Sequence, residues 1–138
     1  MEKYIHKVFY FETDKMGMVH HSNYIRWMEE ARLHFLEQLG HGYRKMEDDG
    51  IISPVLSVEC EYKSPTTFGD EVAIEIQVLE YTGVRLTIGY VMTNVKNNEL
   101  VLTGASRHAF LDELRRPVIL KKYFPDLDKK LKLLVIKK

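Results

Sequence analysis

The sequence predicts an α+β protein in which one long helix packs on an antiparallel sheet. A single stretch of helical period occupies residues 22–39, and several stretches between residues 56 and 111 alternate with a period of two. The connections between those later stretches are too short to hold the crossover helices that a parallel sheet requires.

Tyr4 to Phe11 are aromatic and β-branched around His6 and Lys7, which predicts a first strand over 4–11. Glu12 to His21 mix Thr, Asp, Gly and two histidines without an apolar period and read as a loop. From Ser22, a predicted N-cap, Tyr24, Trp27, Met28, Ala31, Phe35 and Leu39 recur at steps of three and four. Gly40 and Gly42 then stop a helix about 27 Å long at 1.5 Å per residue. Trp27, Met28 and Phe35 belong to its core face, and Tyr24 in its first turn is placed to line a pocket.

After the Asp48-Asp49-Gly50 turn, Leu56, Val58, Cys60 and Tyr62 alternate with polar residues in a half-buried strand that ends at Ser64-Pro65. Two more follow, over residues 72–78 and 84–92. Residues 96–99 form a turn, and Leu100 to Leu111 make a last strand with an expected bulge at Gly104. Val91 and Ala109 suggest that the far face of the sheet is not wholly polar, so oligomerisation could cover it. The lysine- and leucine-rich tail, 126–138, is expected to be a short helix or a docked arm.

Residues 1–138 suit one domain by length. Twenty basic and twenty acidic side chains cancel, which gives no reason to expect a nucleic acid as partner. Without an apolar stretch long enough to span a bilayer or a secretory start, no membrane partner is expected and the compartment is expected to be cytoplasmic. The single cysteine, Cys60, allows no internal disulfide and no cysteine-built zinc site.

Chemistry concentrates where the loop meets the helix: Asp14, Gly17, His20, His21 and Ser22 precede backbone N–H groups that lack helical partners. A carboxylate facing such donors across a reacting carbonyl suits attack on an ester-like carbon. The ordinary role of such an aspartate, capping a turn, competes with this reading of Asp14. His20-His21 could be metal ligands, although adjacent histidines seldom converge on one ion and no His-Glu-x-x-His helix occurs, so no metal is expected. A Ser22-His-Asp triad competes with the ordinary capping role of a serine there. His6, His34, His41 and His108 are scattered and receive no role, and Arg107-His108 and Arg115-Arg116 are basic pairs able to meet a phosphate. Gly40-His41-Gly42 lacks the third glycine of a dinucleotide fingerprint.

The run from Phe9 to Tyr24, with the spacing Asp-x-x-Gly-x-Val-x-His-x-x-Tyr and the continuing Trp27, Glu30, Ala31 and Arg32, resembles the hot-dog acyl-CoA thioesterases of the 4-hydroxybenzoyl-CoA thioesterase and YbgC-like group. Glu61 to Pro65, Gly69-Asp70, Ala105 to Phe110 and Arg116-Pro117 resemble later segments, so the likeness covers about residues 4 to 120. It implies a helix wrapped by a curved antiparallel sheet, paired into homodimers or homotetramers with sites at subunit interfaces. It also implies hydrolysis of acyl-CoA to free acid and CoA, with coenzyme A as part of the substrate and no separate cofactor. Carried over, Asp14 matches the catalytic carboxylate, as base or nucleophile, and His21 the residue whose backbone N–H polarises the thioester carbonyl. Gly17, Val19, His20, Tyr24, Lys63 and Arg107 are the expected substrate-binding residues. An acyl carrier protein could replace CoA as the acyl carrier, and a non-catalytic acyl-thioester binder would fit the same scaffold.

Overall fold

The computed structural model describes residues 2–136. Five strands form one antiparallel sheet: β1 (Tyr4–Lys7), β2 (Val55–Tyr62), β3 (Glu71–Tyr81), β4 (Arg85–Asn94) and β5 (Leu100–Ala109), in the order β1-β3-β4-β5-β2. Three helices accompany it: α1 (Ser22–Gln38), α2 (Tyr43–Asp48) and α3 (Pro125–Leu134). The α+β expectation holds.

Helix α1 lies on one face of the sheet because Trp27, Met28, Ala31, Phe35 and Leu36 share one side of it, and all five are buried in the same cluster as Ile74, Ile88, Met92 and Leu102. Trp27 and Ile88 are each 0% exposed. Helix α3 closes the far end: Leu127 and Leu131 enter that cluster, and Lys130 Nζ donates to Leu39 O at 2.7 Å, satisfying a carbonyl left open where α1 ends. The tail is therefore both a helix and docked, with Ile136 N bonded to Val78 O; residues 137 and 138 lie outside the described part. Among the described residues no helix is long and apolar enough to cross a membrane.

Four sequence expectations are corrected. The first strand stops at Lys7 instead of Phe11, because Phe9 N donates to the Glu12 side chain at 2.8 Å and the chain coils into a 3₁₀ turn at Tyr10–Glu12. Helix α1 begins with Ser22 itself, with His21 in the capping position; Ser22 caps nothing. Strand β2 is not half-buried. As the outermost strand it leaves Val55, Leu56, Val58 and Tyr62 between 36% and 50% exposed, since only β5 pairs with it. Gly104 carries no bulge either: it pairs in register with Cys60, and the irregularities fall at Val55/Ser57, Val78/Glu80 and Met92/Thr93. Gly104 is needed for closeness, because a Cβ there would lie 2.8 Å from Glu59 O and 3.1 Å from Cys60 Cβ. The short helix α2, which buries Met46, has no counterpart in the sequence reading.

Candidate active site

Residues 13–19 form a small antiparallel turn. Thr13 bridges Val19, Asp14 N donates to Met18 O at 2.8 Å, and Gly17 N donates to Asp14 O at 3.0 Å. Gly17 closes the turn at φ +79°, a left-handed value that a residue with a Cβ adopts only under strain. The turn is fastened to the segment after β2: Val19 N donates to Thr66 O, Met18 bridges Thr67, and the Thr67 hydroxyl donates to Gly17 O at 2.7 Å.

Asp14 accepts from Met16 N at 2.8 Å through Oδ1. The capping reading of Asp14 is thus correct for one oxygen. The other, Oδ2, has no hydrogen-bond partner among the described residues, and Asp14 lines an open cleft of about 340 Å³. Val19, His20, His21, Tyr24 and Lys63 line the same cleft, with Met18, Tyr62, Ser64 and Pro65. The backbone N–H of His21, at the positive end of α1, makes no hydrogen bond among the described residues. Asp14 and His21 therefore line one cleft.

His20 does not complete a serine triad. Ser22 N donates to His20 Nδ1 at 3.2 Å, so that nitrogen is an acceptor and the Ser22 hydroxyl, 2.8 Å away, donates to it as well. No carboxylate hydrogen-bonds His20 among the described residues, and no cluster of three metal-ligating side chains occurs among them.

The aromatic wall consists of Tyr24 and Tyr62, with ring centroids 5.6 Å apart. Tyr24 shares a 2.8 Å hydrogen bond with Thr66, and burial raises its hydroxyl above the usual phenol range. Cys60, then burial, pushes Tyr62 up to about 12. Both hydroxyls are therefore neutral donors at pH 7. Lys63 sits on the exposed rim, bonded to Glu61 at 2.7 Å.

Gly17 shapes the turn without lining the cleft, and Arg107 is not brought to it. Strand alternation turns Arg107 away from α1, where it lies 3.4 Å from Ser57 Oγ and 3.5 Å from Glu59 Oε1.

Sequence reasoning missed the support beneath the loop. Glu12 is buried and accepts from Phe9 N (2.8 Å), Trp27 Nε1 (2.6 Å) and His6 Nε2 (2.9 Å), while His6 Nδ1 faces Glu30 at 2.9 Å. Its backbone carbonyl accepts from His20 N (2.9 Å) and Asn23 Nδ2 (3.0 Å). Glu12 thereby ties β1 and the core to the two ends of the histidine segment. The buried His6 was the only available signal, and sequence gives no means of pairing it with a carboxylate in the loop.

Comparison with known proteins agrees with this architecture. Residues 10–131 match the model of the thioesterase-like superfamily. The chain is 36% identical over 121 residues, 87% of each chain, to a provisionally named acyl-CoA thioesterase, YneP, of Bacillus subtilis. It is 27% identical over 107 residues to a 1,4-dihydroxy-2-naphthoyl-CoA hydrolase of Synechococcus elongatus, covering 76% of this chain and 77% of that one. The crystal structure of a DHNA-CoA thioesterase from Staphylococcus aureus superposes with a TM-score of 0.90 at 35% identity, over 96% of this chain and 91% of the other. The match runs from the turn before Asp14 into α3, and on that ground the chain belongs to the thioesterase-like superfamily and has its hot-dog fold.

Proposed function

We propose that this chain hydrolyses acyl-CoA thioesters to a free acid and CoA at the Asp14 cleft. The observation that carries the reading is that Asp14, with Oδ2 unengaged, and His21, with its backbone N–H unpaired, line one cleft. The His21 N–H donates a hydrogen bond to the thioester oxygen as negative charge develops on it. Asp14 either draws a proton from attacking water or adds to the carbonyl itself, giving an anhydride that water then opens. On either route the C–S bond breaks, the thiolate leaves and takes up a proton, and the acyl carbon ends as a carboxylate. No cofactor takes part.

Tyr24, Tyr62 and Val19 offer the acyl group a largely apolar wall, and His20 borders it. Lys63 on the rim suits the phosphates of CoA. The relatives named for naphthoyl thioesters support an aromatic acyl group among the substrates.

The chain works as a homodimer or homotetramer in this reading. Support comes from β2, an eight-residue edge strand that leaves Val55, Leu56, Val58 and Tyr62 exposed beside the cleft-lining segment 62–65. One hydrophobic cluster running from Val8 to Leu131 supports a single domain. The unpaired thiol Cys60 fits a cytoplasmic setting.

The test is a panel of aliphatic and aromatic acyl-CoA esters, with the same acyl groups on acyl carrier protein, followed by release of free thiol. Saturable release from CoA esters is expected. Tight binding without release, or turnover confined to the carrier-protein substrates, overturns the reading.

A further inference from the structure

The His20 carbonyl and the His21 N–H belong to one peptide unit, and a planar trans peptide points them in opposite directions. Whatever holds the carbonyl therefore aims the N–H. Asn23 holds it twice: its backbone N–H donates to His20 O at 3.0 Å, and its side-chain Nδ2 donates to the same oxygen at 3.4 Å. Nδ2 also donates to Glu12 O at 3.0 Å. With carbonyl oxygens as both partners, only the amide nitrogen can stand there, because the flipped side chain would set oxygen against oxygen.

The Glu12 end of this bridge is fixed by the core. Its carboxylate accepts from Phe9 N, Trp27 Nε1 and His6 Nε2, and His6 faces Glu30 through Nδ1 at 2.9 Å. Glu12, His6 and Asn23 are all buried. Glu12 O also receives His20 N at 2.9 Å, so the peptide before His20 is tied through its N–H and the peptide after it through its carbonyl. Of that second peptide only the His21 N–H is left without a partner among the described residues.

We propose that Asn23 is a positioning residue for thioester hydrolysis: one amide group bridging Glu12 O and His20 O fixes the plane that carries the His21 N–H, and so the direction from which that donor meets the developing oxyanion. The inference rests on hydrolysis at the Asp14 cleft. A second effect has the same sign, since an amide whose carbonyl accepts hydrogen bonds is polarised and donates more strongly through its N–H. Asn23 does not line the cleft, so it acts only through that peptide.

Aim matters most in the transition state. A thioester oxygen carries little charge before attack, so a donor turned off line lowers kcat and leaves KM nearly alone. A purely structural part for Asn23 gives another pattern: fewer folded molecules, each turning over at the ordinary rate.

The test measures thiol release from acyl-CoA esters by the intact protein, per folded molecule as judged by circular dichroism. In Asn23→Ala, kcat should fall about tenfold or more while KM stays within about twofold. Asn23→Asp, assayed near pH 8, keeps the size of the side chain but sets a carboxylate against both carbonyls, and should lose as much. NMR of the unsubstituted protein depends on no variant folding: the Asn23 side-chain amide protons should exchange slowly with water. Fast exchange there, an ordinary kcat in either folded variant, or a loss confined to KM would overturn the proposal. Asp14→Asn is the control, because ordinary turnover in it, or no thiol release by the unsubstituted protein, overturns the reading of the cleft instead.

Discussion

The indole N–H of Trp27 donates to Glu12 at 2.6 Å inside the core, joining the second turn of α1 to the residue whose carbonyl holds the histidine segment. Burial alone would raise the Glu12 carboxyl, but Phe9 N–H, Trp27 and His6 together outweigh it and hold the group below its ordinary value of 4.5.

A carboxyl depressed in the folded state stabilises the fold above its unfolded value, and that contribution is lost as pH falls through the lower folded value. Urea midpoints should therefore decline as pH drops below 4.5, and Glu12→Gln should flatten the decline. An unchanged pH slope in that variant removes Glu12 from the account.

Asp14→Asn is expected to lower turnover at least about a hundredfold, the low end for losing a general base. The fold should survive, because an asparagine oxygen can still accept from Met16 N. Thiol release and circular dichroism measured on the same preparation separate the two effects. Near-normal turnover would move the chemistry elsewhere.

Gly104→Ala places a methyl group 2.8 Å from Glu59 O, forcing β2 away from β5, and should cost about 1–3 kcal/mol in chemical denaturation. Full stability would mean that the edge strand yields freely.

Asp128 is buried, accepts from the Tyr81 hydroxyl and pairs with Lys132 at 3.0 Å. Asp128→Ala strands that hydroxyl and should cost about 1–3 kcal/mol, read as a lower melting temperature and earlier hydrogen exchange along α3. Uniform exchange across the molecule would contradict a local anchoring role.

What could be read beforehand was whatever depends on local periodicity. Trp27, Ala31 and Phe35 announced α1, and Val72, Ile74 and Val78 announced β3, because one face of each meets the core. Leu56 and Val58 show the same pattern in β2 yet remain exposed, since position in the sheet, which no local window contains, decides burial. Phe9, Tyr10 and Phe11 looked like strand for the same reason, while a single hydrogen bond to Glu12 turned them out to solvent. Motif spacing singled out Asp14 and His21, and both line the same cleft. Arg107 was misplaced because its face follows from strand register, and the partnership of His6 with Glu12 and Glu30 joins three separate elements.

The Thr67 hydroxyl on Gly17 O, with the Val19 and His20 amides that follow tied to Thr66 and Glu12, makes the Asp14 turn a fixed platform. Capturing substrate then demands no freezing of a wandering segment. Calorimetry should accordingly find a heat-capacity change that tracks only the greasy surface hidden by the acyl group, with no added signature of peptide ordering.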